Sequence, residues 1–194
     1  IGHLGDFNDL NVLVRNADAF VIDVDSAQFG QFPSHMFTST FVDPLICDPS
    51  KTTPMMIGTH APETDWYAYA VMLMRSLLYT GPYGGVYRPK DPKKIVPHDA
   101  RPLKRITVFN DNVIYPKPAR PYKILPDALL GYFTDTFEKD KRGTPPISLV
   151  ENLRFTTCTA CGTTHARSVC PVCVGTTPAA LKEVHTGSVH GVKI

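Results

Sequence analysis

Four cysteines, Cys158, Cys161, Cys170 and Cys173, form a C-x2-C-x8-C-x2-C pattern. Each C-x2-C turn aims two thiolates at one point, and two such turns supply the tetrahedral sulfur set that Zn²⁺ prefers. Gly162 after the first pair and Val174-Gly175 after the second let backbone amides approach the sulfurs. A segment of about 20 residues cannot bury a core, so a metal must supply its folding energy. Two disulfides or a redox pair are the competing uses of four cysteines. The spacing and the lack of a secretory signal favour zinc. With sulfur at all four positions, the expected role is structural or protein-binding, not catalytic. His165, between the pairs, is expected on the surface and not as a ligand. The fifth cysteine, Cys47, is expected to be a buried small apolar residue.

A second set of residues offers oxygen ligands. Gly5-Asp6-Phe7-Asn8-Asp9-Leu10-Asn11 directly precedes one apolar run, and Ile22-Asp23-Val24-Asp25-Ser26 closes another. The runs Asn11 to Val14 and Ala19 to Val24 read as strands, joined by the polar turn Arg15-Asn16-Ala17-Asp18. Such a hairpin brings Asp6, Asn11 and Asp23 to one end of a small sheet. Hard oxygen ligands of this kind hold Mg²⁺, and a separate carboxylate can orient a hydroxyl nucleophile. The bland alternative is a set of hairpin and cap carboxylates with no ligand.

The surrounding chain has 194 residues, 43% of them apolar and 20% charged, a mix that folds. Proline, at 18 residues, is nearly twice the usual level of about 5%, so long irregular connections are expected. Net charge is only +2 and predicts neither nucleic-acid binding nor membrane attachment. No apolar stretch approaches the roughly 20 residues of a spanning helix. Charge is uneven, however. Residues 1–65 carry nine acidic against two basic side chains, and residues 88–123 carry ten basic against three acidic. The basic stretch is either a solvated Pro-rich loop or a docking surface for an acidic partner.

Residues 26–64 read as a long ordered loop with one helical turn at most. Asp65 to Tyr79 reads as a helix that is apolar almost all round and therefore buried, capped by Thr64 or Asp65 and ended by Gly81-Pro82. Eight prolines keep 82–124 irregular. Pro126 to Phe137 reads as an amphipathic helix, and residues 146–154 as a short one. Composition changes near Phe155, where a domain boundary is expected.

The carboxylate motifs resemble the C-terminal lobe of the protein-kinase-like fold. Asp6 to Asn11 fits the D-x-x-x-x-N end of the catalytic loop, and Asp23 falls where the metal-binding Asp of D-F-G belongs. The match is closer to divergent bacterial Ser/Thr kinases whose motifs read G-D-x-N-x-x-N and I-D-x-D-S. Asp65-Trp66-Tyr67-Ala68-Tyr69-Ala70 looks like the start of that lobe's buried central helix, and Phe137 to Pro145, with Arg142, like the Arg-containing connection between its last helices. The literal Ala61-Pro62-Glu63 lies too close to Asp65 to be the A-P-E motif; Pro44-Leu45 is better placed but lacks the Glu.

The resemblance implies a fold that is mainly α with a small β-hairpin sheet, followed by a small zinc-ribbon module. Residues 1–154 would form the kinase-like lobe, 155–176 the zinc ribbon and 177–194 a tail or the start of a further segment. It further implies an ATP- and Mg²⁺-dependent phosphotransferase. Asp6 would be the catalytic carboxylate, and Asn8 would stand where many kinases have a phosphate-contacting Lys. Asn11 and Asp23 would bind Mg²⁺ on the ATP phosphates. Asp65 would tie down the catalytic-loop backbone, with Arg142 also structural. Residues 26–44 would be the activation segment, with Ser34, Thr38, Ser39 and Thr40 as modification sites. The sequence opens on Ile1 at the catalytic loop, so a fragment or processed product is expected, with the missing N-lobe supplied by the same gene or another chain. Gly5 replaces the usual Arg, Asn8 lacks a positive charge, and Asp25 replaces the motif Gly. These departures make a catalytically weak pseudokinase or scaffold the alternative. A small-molecule kinase of the aminoglycoside or choline kinase type is the second alternative. A protein substrate or partner, a cytoplasmic location, no membrane and no nucleic acid complete the expectation.

Overall fold

A computed structural model describes residues 2–175; the expected tail from 177 lies outside the described residues. Strand β1 (Gly2–His3) is followed by the hairpin β2 (Val12–Arg15) and β3 (Asp18–Val21), then β4 (Gln28–Phe29). Helix α1 spans Pro62–Leu78; β5 (Val86–Tyr87) and β6 (Val113–Ile114) follow, then α2 (Asp127–Phe137), α3 (Ser148–Glu151), β7 (Thr156–Thr157) and β8 (Thr164–His165).

The expectation of a mainly α fold is not met. Three α-helices and four two-stranded sheets make up the regular structure of the described residues, with long connections between them. Proline supplies the physical reason. It removes a backbone donor and forbids helical continuation, so the Pro-rich connections settle into short 3₁₀ turns such as Pro92–Lys94, Pro102–Lys104 and Tyr122–Ile124.

The hairpin forms in the register Val12↔Val21 to Arg15↔Asp18. Its turn residues Asn16 and Ala17 both have positive φ, 52° and 68°, as a two-residue turn matching strand twist requires. The pairing of β1 with β4, Gly2 opposite Phe29, closes the base around it.

Helix α1 starts three residues earlier than expected, because Pro62 is tolerated in a first turn. Thr64 acts within the helix: its hydroxyl accepts from the Ala61 amide at 3.0 Å and donates to the Ala61 carbonyl at 2.8 Å. The helix ends at Leu78, with Tyr79 in the left-handed region, before Gly81-Pro82 is reached. Tyr67, Ala70, Val71, Met74 and Leu78 are buried against Leu129, Phe133 and Phe137 of α2. The Tyr67 ring meets Phe137 edge-on at 5.5 Å between centroids. Each such side chain, fully buried, contributes roughly 1.5–3 kcal/mol.

In the basic Pro-rich region, Arg101 is buried and forms no ion pair among the described residues. Its Nη1 donates to the carbonyls of Gly84 and Gly85, both at 3.0 Å, and its Nε to Ile106 at 3.1 Å. Here one charge of the basic run braces the loop from inside. Cys47 is buried as expected, and burial pushes its thiol up to about 11.

Candidate functional site: a four-cysteine metal centre and a carboxylate hairpin

The β7–β8 hairpin carries the first pair of cysteines. The Cys158 amide donates to the Thr163 carbonyl at 2.9 Å, and the Gly162 amide to the Cys158 carbonyl at 2.8 Å. Gly162 takes φ +72°, a turn that other residues strain to adopt. The second pair sits on the turn at Cys170–Cys173, where Val174 donates back to the Cys170 carbonyl at 3.2 Å.

These turns bring all four sulfurs within 4.8 Å of one another. Cys158 Sγ and Cys173 Sγ lie 3.7 Å apart, and Cys161 Sγ and Cys170 Sγ 3.5 Å. Tetrahedral sulfurs about 2.3 Å from a zinc ion stand about 3.8 Å from each other, so the set fits that ion. Disulfide sulfurs would lie about 2.05 Å apart, and all five cysteines are free thiols. The Thr163 hydroxyl, 3.3 Å from Cys161 Sγ, is the main cause lowering that thiol to about 6. Backbone amides of Cys161 and Ala160 lower Cys158. The crowd of neighbouring sulfurs, led by Cys161, drives Cys173 up to about 12. Thiols packed this closely suit a divalent cation, whose binding would displace their protons to solvent. Among the described residues, this is the cluster of His, Cys, Asp and Glu side chains able to hold a metal ion.

His165 is not a surface residue: it is 4% exposed, because strand β8 turns it inward. Its Nδ1 accepts from the Arg167 amide at 3.3 Å, and it is not in the sulfur cluster. The cysteine module also docks onto the rest of the chain. The Ala166 amide donates to the Ile124 carbonyl at 2.8 Å, and Arg167 forms an ion pair with Asp127 at the start of α2.

The carboxylate motifs converge on the base of the β2–β3 hairpin. Asn11 Nδ2 donates to the Asp6 carbonyl at 3.1 Å, and the Asn11 carbonyl accepts from the Ile22 amide at 2.9 Å. The residue after Ile22, Asp23, is exposed and takes the left-handed conformation, φ 59°. A hydrogen bond with Asp25 is the main cause raising its carboxyl, followed by the charge of Asp25, slight burial and the charge of Asp6. Gly5 is required where it stands. With φ +64°, any added Cβ would lie 2.4 Å from the Ser26 carbonyl oxygen, because the loop and the segment after Asp23 cross backbone to backbone.

Asn8 is turned inward. Its Nδ2 donates to the Asp6 carbonyl at 3.1 Å and to Thr38 Oγ1 at 3.3 Å, while its Oδ1 accepts from the Leu10 amide. Asp65, on α1, accepts from the Leu4 amide at 3.1 Å, and His3 Nδ1 lies 3.8 Å away. Burial raises the Asp65 carboxyl. Arg142 grips Asp43 with two bonds of 2.6 and 2.7 Å, donates to the Thr136 carbonyl and covers the Tyr67 ring at 4.7 Å. Sequence reasoning missed Asp43. The only signal for it is its place immediately before Pro44-Leu45, where its side chain also caps the turn by accepting from the Leu45 amide. Of the hydroxyls expected as modification sites, Ser34 is buried and Thr38 is engaged by Asn8, while Ser39 and Thr40 are exposed. Among the described residues no helix is long and apolar enough to cross a membrane.

No family model matches the chain, and no curated protein matches it.

Proposed function

We propose that this chain carries an ATP- and Mg²⁺-dependent phosphotransferase centre at the hairpin base, with the cysteine module as a structural zinc ribbon. The observation that carries the first part is the joint tethering of Asn11 to the Asp6 carbonyl and to Ile22, beside Asp23. The Asn11 amide nitrogen is spent on Asp6, which leaves Oδ1 as the end that suits a cation. Asn11 and Asp23 would hold Mg²⁺, which when bound offsets phosphate charge. Crowding of Asp23 by Asp25 and Asp6 is the kind of repulsion that a divalent cation relieves. Asp6 would orient the acceptor hydroxyl and take its proton. The Asp65 carboxylate, accepting from Leu4, restrains the loop that carries Asp6. A protein substrate and a protein-kinase-type ancestry go with this reading.

The zinc part rests on the four mutually close sulfurs. Four thiolates leave no open coordination position, so the ion would serve the fold and not the chemistry.

A catalytically weak scaffold is the second reading, and one observation favours it. Asn8, uncharged and spent on bracing the loop, gives the transferring phosphoryl group no positive charge.

The test is Mg²⁺-dependent nucleotide binding by the full-length protein, followed by thermal shift with ATP. The expected result is a stabilisation that needs Mg²⁺ and is lost in Asp23→Ala, with zinc content unchanged. A protein that shows no shift at millimolar ATP and Mg²⁺ would end the phosphotransfer reading and leave the zinc reading standing.

A further inference from the structure

A cavity of about 380 Å³, distinct from the Asp6–Asn11–Asp23 cluster, opens beside the C-terminal half of α1. That is large enough for one or two side chains of a ligand. Val71, Pro82, Tyr83 and Pro102 give it apolar walls, and the hydroxyls of Ser39, Thr40 and Thr53 stand around it. Hydroxyls can donate to and accept from a peptide backbone. Arg75 also lines it, but its guanidinium is held by Asp9 at 2.9 and 3.0 Å and lies over the Phe41 ring. The cavity therefore has no free cation in its wall from α1.

Free positive charge arrives from the adjoining loop. His98, Asp99 and Pro102 line the cavity, and Arg88, Lys90, Lys93 and Lys94 precede His98 by four to ten residues. The four cations are exposed, and none forms an ion pair among the described residues. The acid within the run, Asp91, is turned to its own backbone, accepting from the Lys93 amide at 3.0 Å. Lys94 is four residues from His98, at most about 14 Å along the chain. Asp99 is the one carboxylate in the lining.

We propose that this cavity and its basic approach form a docking site for an acidic peptide segment of a partner protein. An apolar side chain of the peptide enters between Val71, Tyr83 and Pro102. Flanking carboxylates meet Lys93, Lys94, Arg88 and Lys90. This assignment goes beyond the phosphotransferase reading and does not depend on it.

The test is fluorescence anisotropy on the full-length protein without nucleotide. The probe is a short fluorescein-labelled peptide with one leucine flanked by glutamates. Saturable binding that weakens as salt screens the charges is expected. The double variant Lys93→Glu/Lys94→Glu, at exposed positions, should weaken it on the order of tenfold. Thr53→Trp, which adds a bulky ring to the cavity lining, should weaken it by a similar factor, and Asp23→Ala should leave it unchanged. The proposal is overturned if a lysine-flanked peptide binds equally well, or if the charge variant acts and Thr53→Trp does not. It is equally overturned if a single-stranded oligonucleotide binds more tightly, or if sedimentation shows self-association abolished by the same variants. Loss of peptide binding in Asp23→Ala would also sink it, by tying the binding to the hairpin site.

Discussion

The cysteine module and the carboxylate hairpin both bring polar side chains together near a short hairpin, yet different forces hold them. In the module, four sulfurs lie within 4.8 Å of one another on a segment with almost no core of its own. Its ligands stand close along the chain, and local turns are enough to gather them. At the hairpin, Asp6 and Asp23 come from segments separated by two strands and a turn, and their approach depends on β1 pairing with β4 and on a glycine at position 5. In one region local turns gather the sulfurs, and a metal ion would lock them. In the other, the backbone network and α1 do the organising, and a cation would come last.

The strongest way to break this comparison is to remove one sulfur. Cys170→Ser should release the metal and unfold the module, a loss on the order of 10 kcal/mol of metal-linked folding energy. Zinc analysis and amide exchange at Cys158 and Gly162 would read it. Exchange at Ile22 should stay protected. If the hairpin loosened as well, the two regions would not be independent.

A smaller effect should come from Arg142→Ala. The Arg142–Asp43 pair is almost wholly buried, with side chains 8% and 1% exposed. Removing one partner strands the other, at a cost of about 3–5 kcal/mol. Chemical denaturation would measure it, and zinc content should not change.

The smallest expected effect is a pH dependence centred on Asp65. Its carboxyl is raised in the folded chain by burial, so the fold binds this proton more readily than the unfolded chain does. Its contribution to stability is therefore full below the ordinary aspartate value of about 3.9 and is lost as pH rises through the folded-state value. Against Asp65→Asn, the wild type should lose relative stability as pH climbs from 3 towards neutrality. Denaturation at several pH values would show it, and a difference independent of pH would contradict it.

What could be read from sequence follows from how far apart the cooperating residues are. Cys158 to Cys173 announce themselves by spacing, because a local turn is their geometry. The hairpin was legible for the same reason: Arg15 to Asp18 is a turn between apolar runs, and the structure pairs those two residues. Asp43 was not legible, because its partner Arg142 is 99 residues away and no periodicity links them. His165 misled, since a polar residue between two knuckles gives no sign that its strand faces inward. The mainly α expectation failed because a family resemblance carried by short motifs says little about the long proline-rich connections between them.

The sequence by itself determined the four-sulfur cluster, the β2–β3 turn and the buried character of α1, since each depends on chemistry within one turn or one helical period. Only the tertiary structure decided that Gly5 must pass against Ser26, that Asp43 neutralises Arg142, and that a cavity opens between α1 and the basic loop. Those outcomes come from packing between distant segments, where steric fit and the burial of charge select one arrangement and local residue order does not encode the choice.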